Sequence, residues 1–401
     1  MASRRLLPIV FTLALFTPIH GGDPSHGLLV ALSQFEVTPA GKVLPKPKAA
    51  RLEILVPAEG MWDVLSFEDS QSNVFHKAMT FDPGDGPRIM TLGGTAAALK
   101  LWRKKGDDFV SETVWQKDFG GKFSRMREVE VADLFGDGRA VLAVATHDQG
   151  VVALVWADGD GGWKVEEIDR QERTFVHEIE IGDLNGDGVL EVYATPSEPN
   201  LLDGRPQPGT VVRYVPAKGG DRVVVADLGD RHAKEILVDD LDGDGRDELY
   251  VSVEAVSGGK LEIRRYDAET DPRRGKVVAR LPDRLCRFLT AGDVEGDGRR
   301  EMVAAGAKSG LWLVRPPANA QGEWTLTSID RDSSGFEHAA LLADLDDDGA
   351  DELYVASDDQ GEIRRYVWRN GRFRKEVIFE RAVPDSVFTW SLSPVPLGLL
   401  R

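Results

Sequence analysis

Hydrophobic and polar residues alternate along most of the chain in short runs, such as HEIEIGD from His177, HAALLAD from His338 and VVRYVP from Val211. Alternation with a period of two gives a strand one face for a core and one for water or a neighbouring layer. No window holds a 3.6-residue period, which excludes a helical solenoid. The strand-like runs are separated by acidic, glycine-bearing turns: DLFGDGRAV from Asp133, DLNGDGVLE from Asp183, DLDGDGRDE from Asp240, DVEGDGRRE from Asp293 and DLDDDGADE from Asp344. Their opening aspartates are 50, 57, 53 and 51 residues apart. Trp62, Trp163 and Trp324 each stand fourteen residues before a histidine, and His76, His177 and His338 each stand six before an aspartate. That register recovers a sixth, shortened copy, DPGDG from Asp82.

A period of about 50 residues that holds four short strands is one blade of a β-propeller. With the strands of a blade called A to D from the axis outward, the acidic turn joins A to B. Strand A is expected to begin at His76, Arg127, His177, Lys234, Arg287 and His338, and a seventh copy follows in the tail, where PDSVFTW from Pro384 parallels PDRLCRF from Pro282. Residues 28–37, 51–56 and 61–67 read as three strands that precede the first A strand. The fold class is therefore all-β: a seven-bladed propeller of four-stranded antiparallel blades, its ring closed by the N-terminal strands together with the C-terminal one. Such closure leaves no open strand edge at the seam, and the seventh acidic turn is missing because the A–B hairpin of that blade is where the chain begins and ends.

Length agrees, since 401 residues exceed what one ordinary core supports unless the architecture repeats. The net charge of −18 argues against nucleic acid or an anionic membrane as the main partner and makes cations the expected guests. The single cysteine, Cys286, excludes an internal disulfide and a cysteine-based metal site, and reads as a buried apolar residue. Arg4 and Arg5 precede an apolar run over 6–16, too short to span a bilayer and of the kind found in signal peptides. The expected organisation is a signal peptide over 1–22 and one propeller domain over 23–401, secreted, periplasmic or at the cell surface, with no transmembrane segment.

The acidic turn carries the clearest chemistry. Oxygen donors at positions 1, 3, 5 and 9, a backbone carbonyl at position 7 and a glycine at position 6 make the shell that a hard cation such as Ca²⁺ prefers. Complete copies are Asp183, Asn185, Asp187 and Glu191; Asp240, Asp242, Asp244 and Glu248; and Asp344, Asp346, Asp348 and Glu352. Asp293, Glu295, Asp297 and Glu301 form a fourth with a longer side chain at position 3. The Asp133 copy has Phe135 and Val141 at ligand positions and the Asp82 copy is short, so both are expected to be metal-free. Tight turns also favour Asp, Asn and Gly, but four uncompensated acids in one hairpin would repel one another.

These repeats resemble FG-GAP repeats, the calcium-loop repeats of the integrin α-subunit propeller and of secreted bacterial proteins with VCBS repeats. The resemblance covers about 28–395, with the Phe-Gly and Gly-Ala-Pro flanks degraded; Ala194, Thr195 and Pro196 come nearest. It implies a calcium-stabilised seven-bladed propeller and no particular ligand, because the fold hosts adhesion modules, lectins and polysaccharide lyases.

His76, Arg127, His177, Lys234, Arg287 and His338 would circle the channel mouth on the face opposite the acidic turns, the face that also carries the proline-bearing insertion over 197–209. They are the candidate ligand-binding residues, for an anionic glycan or protein ligand whose binding would strengthen as the histidines protonate. The competing reading makes each a local partner of an adjacent acid such as Glu128, Glu178 or Glu235. Trp102, Trp156, Tyr214, Tyr266 and Tyr366 end successive C strands and read as packing between blades; RRY at Arg264 and at Arg364 reads as a solvated strand edge. The favoured function is a non-catalytic binding or adhesion module. The alternatives are a carbohydrate-active enzyme of the polysaccharide-lyase kind, with its site at the channel mouth, and a structural subunit of a surface assembly.

Overall fold

The computed structural model describes residues 25–95, 97–121, 124–196, 201, 203–255, 259–318 and 322–401, so the expected signal peptide lies outside the described residues. Seven antiparallel sheets follow one another around a ring. Strand A of blades 1 to 6 spans Phe75–Phe81, Met126–Ala132, Val176–Gly182, Ala233–Asp239, Cys286–Gly292 and Ala340–Ala343, and each is followed by three more strands of its own sheet. Blade 7 is shared by the chain ends. Its A strand, Val387–Pro396, pairs with His26–Val37, which pairs in turn with Ala50–Ala58 and that with Met61–Asp69; a short extra strand, Val43–Pro47, flanks the far end of His26–Val37. The seven-blade count and the mode of closure are thus those read from the repeat. Among the described residues no helix is long and apolar enough to cross a membrane.

The core is divided among the contacts between blades. Seven clusters of buried apolar side chains each draw on two neighbouring sheets, from Leu99, Val144 and Val155 between blades 1 and 2 to Leu29, Ile54, Phe75 and Trp102 between blades 7 and 1. Each blade is apolar on both faces, so a blade has no core until its neighbours cover it. Tyr214, Tyr266 and Tyr366 lie in these clusters as expected, and two of their hydroxyls reach the outer strand of the preceding blade, Tyr214 donating to Asp169 at 2.6 Å and Tyr366 to Asp330 at 2.8 Å. Cys286 is buried, and burial pushes its thiol up to about 12, which removes it as a nucleophile.

A second link between blades sits at position 8 of the acidic turns. The Asp247 carboxylate in blade 4 accepts from the Asp183 amide of blade 3 at 2.7 Å, and Asp351 in blade 6 does the same for Asp293 of blade 5. Between them Arg300 of blade 5 forks onto Asp239 of blade 4 at 2.8 and 2.9 Å. The residue before each receiving turn is fitted to what arrives. Gly182 and Gly292 leave room for the aspartates, for a Cβ at Gly292 would lie 2.3 Å from Asp351 Oδ2 and 2.9 Å from Leu342 Cβ, whereas Asp239 meets the arginine. Gly292→Ala is accordingly expected to destabilise the fold by about 1–3 kcal/mol, the usual cost of overpacking. In an Asp351→Ala background the cost should shrink by at least about 0.5 kcal/mol, the coupling that contacting residues show; urea denaturation of the four variants measures it, and additive costs would remove the latch.

Candidate functional site

All five full-length turns fold on the same internal bonds. The opening aspartate accepts from the amides of positions 5 and 6, as Asp240 does from Asp244 at 3.1 Å and Gly245 at 2.9 Å, and the carboxylate at position 5 accepts from the amide of position 7. The Asp133 turn, which lacks acids at positions 3 and 9, makes the same bonds. The acid at position 1 is therefore explained by the turn alone, and chemistry beyond the turn must be sought at positions 3 and 9.

In the blade 4 turn, carboxylate oxygens of Asp240, Asp242, Asp244 and Glu248 all lie within 4.8 Å of one another, and in the blade 6 turn those of Asp344, Asp346 and Asp348 do. This all-oxygen donor set fits a hard cation. Asp183, Asn185, Asp187 and Glu191, and Asp293, Glu295, Asp297 and Glu301, share the fold of the turn without so close a convergence of carboxylates. The ninth-position acids are drawn inward, for Glu248 is only 2% exposed, and burial pushes Glu248, Glu301 and Glu352 up to about 7.

The expectation that these acids stand uncompensated is corrected by strand C. Arg265 donates to Asp242 at 2.6 Å and to Glu248 at 3.0 Å, and Arg365 bridges Asp346 and Glu352 in the same way. Arg315 binds Glu295 at 2.6 Å and lies 3.7 Å from Glu301. Arg213 binds Glu191 at 2.9 Å; position 3 of that turn is the neutral Asn185. Tyrosines add to the hold: Tyr250 donates to Glu248 at 2.7 Å and Tyr354 to Glu352 at 3.0 Å, and Tyr193 donates to Glu191. The RRY segments are likewise not solvated edges: Arg265 and Arg365 are the turn partners, and Arg364, 2% exposed, is held by Glu362 and Asp330.

An open groove of about 700 Å³ runs beside the blade 4 turn toward blade 5. Asp242, Asp244 and Arg265 line it together with Lys276, Arg299 and Trp324. It unites a cluster of four carboxylates, cationic side chains and an aromatic ring in one concavity.

On the opposite face, the six expected ring residues come together around the channel, but mostly as buried groups. In blades 1 to 5 a β-bulge at the start of strand A takes the ring position out of the ladder, as between Phe75 and Lys77 and between Cys286 and Phe288. His76 Nδ1 donates to the Met126 carbonyl at 2.7 Å, and His338 Nδ1 to the Gly306 carbonyl at 2.8 Å, both across a blade boundary. His338 also bonds Ser333 through Nε2 at 2.7 Å, which holds it in a left-handed conformation with φ of 52°. Burial lowers the His338 imidazole to about 4, so it gains no charge between pH 7.5 and 5.5, and burial lowers that of His76 well below its ordinary value. Arg127 spans the channel to Glu337 of the blade 5–6 connection at 3.5 Å and lies over Trp390; Arg287 lies over Phe336. His177 sits edge-on to His147, and Lys234 is half-buried.

The residue after each ring position changes the character of the channel. Lys77, Glu178 and Glu235 line a cavity of about 260 Å³ together with Glu180, Phe288 and Thr290, and Lys77 pairs with Glu128 at 2.7 Å and Glu130 at 3.3 Å. Burial, then neighbouring carboxylates, raise Glu178 and Glu180 well above the carboxylate range; burial pushes Glu235 up to about 8. Glu178 and Glu180 are half-buried. The channel is acid-lined. The sequence held the signal, since EVE from Glu128, EIE from Glu178 and EIL from Glu235 follow the ring residues directly.

Residues 133–194 match the FG-GAP-like repeat family, a span that runs from the acidic turn of blade 2 to strand B of blade 3. No curated protein matches the chain. Among solved structures, a Bacteroides fragilis protein with a provisional 6-phosphogluconolactonase assignment is similar at 12% identity and a TM-score of 0.57, over 92% of this chain and 98% of its own. The periplasmic gluconolactonase of Pseudomonas aeruginosa is similar at 16% identity and a TM-score of 0.55, over 92% and 99%. At such identities the likeness is one of fold. The ring of seven sheets is a β-propeller, and within it residues 133–194 are similar to the FG-GAP-like repeat.

Proposed function

We propose that the protein is a secreted, calcium-binding propeller that acts as a non-catalytic binding module for a glycan or protein ligand. The observation that carries this reading is the meeting of a cluster of four carboxylates with an open groove of about 700 Å³, between blades 4 and 5. Asp240, Asp242, Asp244 and Glu248 would hold the ion, which presents positive charge to hydroxyl or carboxylate oxygens of a ligand. Trp324 supplies an apolar face for stacking, and Arg299 and Lys276 suit an acidic group. Export is supported by the character of residues 1–22 and by the company FG-GAP repeats keep. The groove faces away from the channel mouth, whose histidines are buried and whose lining is acidic, so an anionic ligand is better served here.

A glycan array probed in calcium and in chelator tests the reading. Binding should be lost in chelator and should fall at least tenfold in Asp244→Asn and in Trp324→Ala, about 1.4 kcal/mol or more. Binding that survives all three changes would move the ligand off this groove.

One observation favours an enzyme instead. Glu235, held protonated near neutrality in a cavity beside Lys77, has the character of a general acid. The structural neighbours make sugar lactones the first substrates to try, alongside acidic polysaccharides, and turnover abolished by Glu235→Gln would replace the binding reading.

A further inference from the structure

The arginines of strand C recur with the acids they serve. Tyr193 pairs across the ladder with Arg213, Tyr250 with Arg265 and Tyr354 with Arg365, always two residues after the ninth-position glutamate. In blades 1 and 2, whose turns have no acid at position 9, the matching strand C residues are Leu101 and Leu154. Blade 5 has Leu313 at that place and a displaced Arg315 that reaches Glu295 and Glu301 from two residues further on. In blades 3 to 6 an arginine of strand C meets the acid at position 9; blade 1 carries Arg103 at the displaced place but has no acid at position 9 for it to meet.

We propose that Arg213, Arg265, Arg315 and Arg365 are intrinsic counter-ions of the acidic turns: they keep these hairpins folded when no metal is bound, and a metal entering the turn competes with them for the acids at positions 3 and 9. The physical reason is burial. A glutamate such as Glu248, shielded from water, needs an opposite charge within hydrogen-bond reach, and the forked donors of arginine satisfy two carboxylates from one fixed plane. Asp242 and Glu248 share one guanidinium at 2.6 and 3.0 Å, so a cation drawing on both oxygens must weaken those bonds or push the side chain toward Asp267, which Arg265 already touches at 2.6 Å. Affinity for metal is thereby set below what the acid count alone would give, and the fold is freed from dependence on the ion. The competition half of this rests on the calcium reading above; the counter-ion half does not.

Thermal melting of the full chain, with CaCl₂ as the only added metal, tests both halves. In EDTA the wild type should melt cooperatively. Arg265→Met should melt about 5 °C or more lower in EDTA, because breaking a buried pair leaves a bare charge behind. Saturating calcium should return most of that loss, with half-restoration at a calcium concentration about tenfold below that which stabilises the wild type. The double variant Arg265→Met/Glu248→Gln, which removes both charges, should recover most of the loss in EDTA, and it decides the matter if the single variant does not fold. A loss in EDTA that the double variant repairs and calcium does not would uphold the counter-ion and overturn the calcium reading at this turn. A single variant as stable in EDTA as the wild type, or a double variant no better than the single, would overturn the proposal.

Discussion

Removal of residues 387–401 should convert a closed ring into an open arc that aggregates and loses its cooperative unfolding transition. The deleted segment is strand A of blade 7, paired with His26–Val37 through nine register partners from His26–Pro396 to Gln34–Val387. It also ties both neighbours. Thr389 donates to Asp358 of blade 6 through its amide at 2.6 Å and its hydroxyl at 2.8 Å, and the amide of Ala78 in blade 1 donates to Ser391 at 3.3 Å. Val387, Leu392, Val395 and Leu400 are buried in the two clusters that flank blade 7. Without the segment, His26–Val37 presents a long apolar edge whose amides and carbonyls have no partner, the template on which β-proteins aggregate. The expected result is void-volume elution in size exclusion and no calorimetric peak. Asp358→Ala, which severs one tie and leaves the edge covered, should keep a single transition at a lower temperature. A truncated chain that stayed monomeric with an unaltered melt would mean that the ring does not depend on this strand.

What the sequence reveals here follows the range of the interaction that writes it. The aspartate period, the alternation of strand A and the parallel between PDSVFTW and PDRLCRF are local patterns repeated at a fixed spacing, and they suffice for blade count, closure and the A–B position of every acidic turn. The ring at the start of strand A was also legible as a register, but not as an environment. Whether His338 faces solvent or the Gly306 carbonyl depends on the neighbouring blade, about 30 residues away in sequence. The strand C arginines were visible only as RRY, because assigning Arg265 to Asp242 and Glu248 needs the pairing of Tyr250 with Arg265 rather than with Arg264, and a shift of one residue sends the side chain to the other face. The position 8 latch joins a carboxylate to a backbone amide some 60 residues away, so a GD dipeptide at Gly182 carries no hint that Asp247 is its cause.

The channel sets the second large effect, a fall in stability as pH rises from 6.5 to 8.5. Glu235 is buried and faces Arg127, Glu337, Glu128 and Arg287; burial outweighs the arginines and lifts its carboxyl to about 8, while an unfolded glutamate titrates near ~4.3. Glu178 and Glu180, raised by burial and by neighbouring acids, act in the same direction. A folded-state value above the unfolded one means that the native protein holds protons the unfolded chain has released. The associated stability is complete below the unfolded value and is lost as pH climbs through the folded one. Below pH 6.5 the buried histidines oppose this: His338, lowered to about 4, and His76 remain neutral in the fold but take up protons when unfolded, which makes stability rise with pH there. As pH climbs past 6.5 the unfolded histidines lose their protons too and this opposition fades, while the channel glutamates are joined by Glu248, Glu301 and Glu352 of the acidic turns, each raised to about 7. Each retained proton steepens the decline by about 1.4 kcal/mol per pH unit, so unfolding free energies from urea titrations at pH 6.5, 7.5 and 8.5 should fall step by step. Glu235→Gln, which mimics the protonated acid in shape and charge, should flatten the profile and be the more stable protein at pH 8.5. A wild type whose stability is level or rising across this window, or a variant with an unchanged slope, would show that the channel carboxyls are ionised, and with that the proton donor required for the enzymatic reading would be gone.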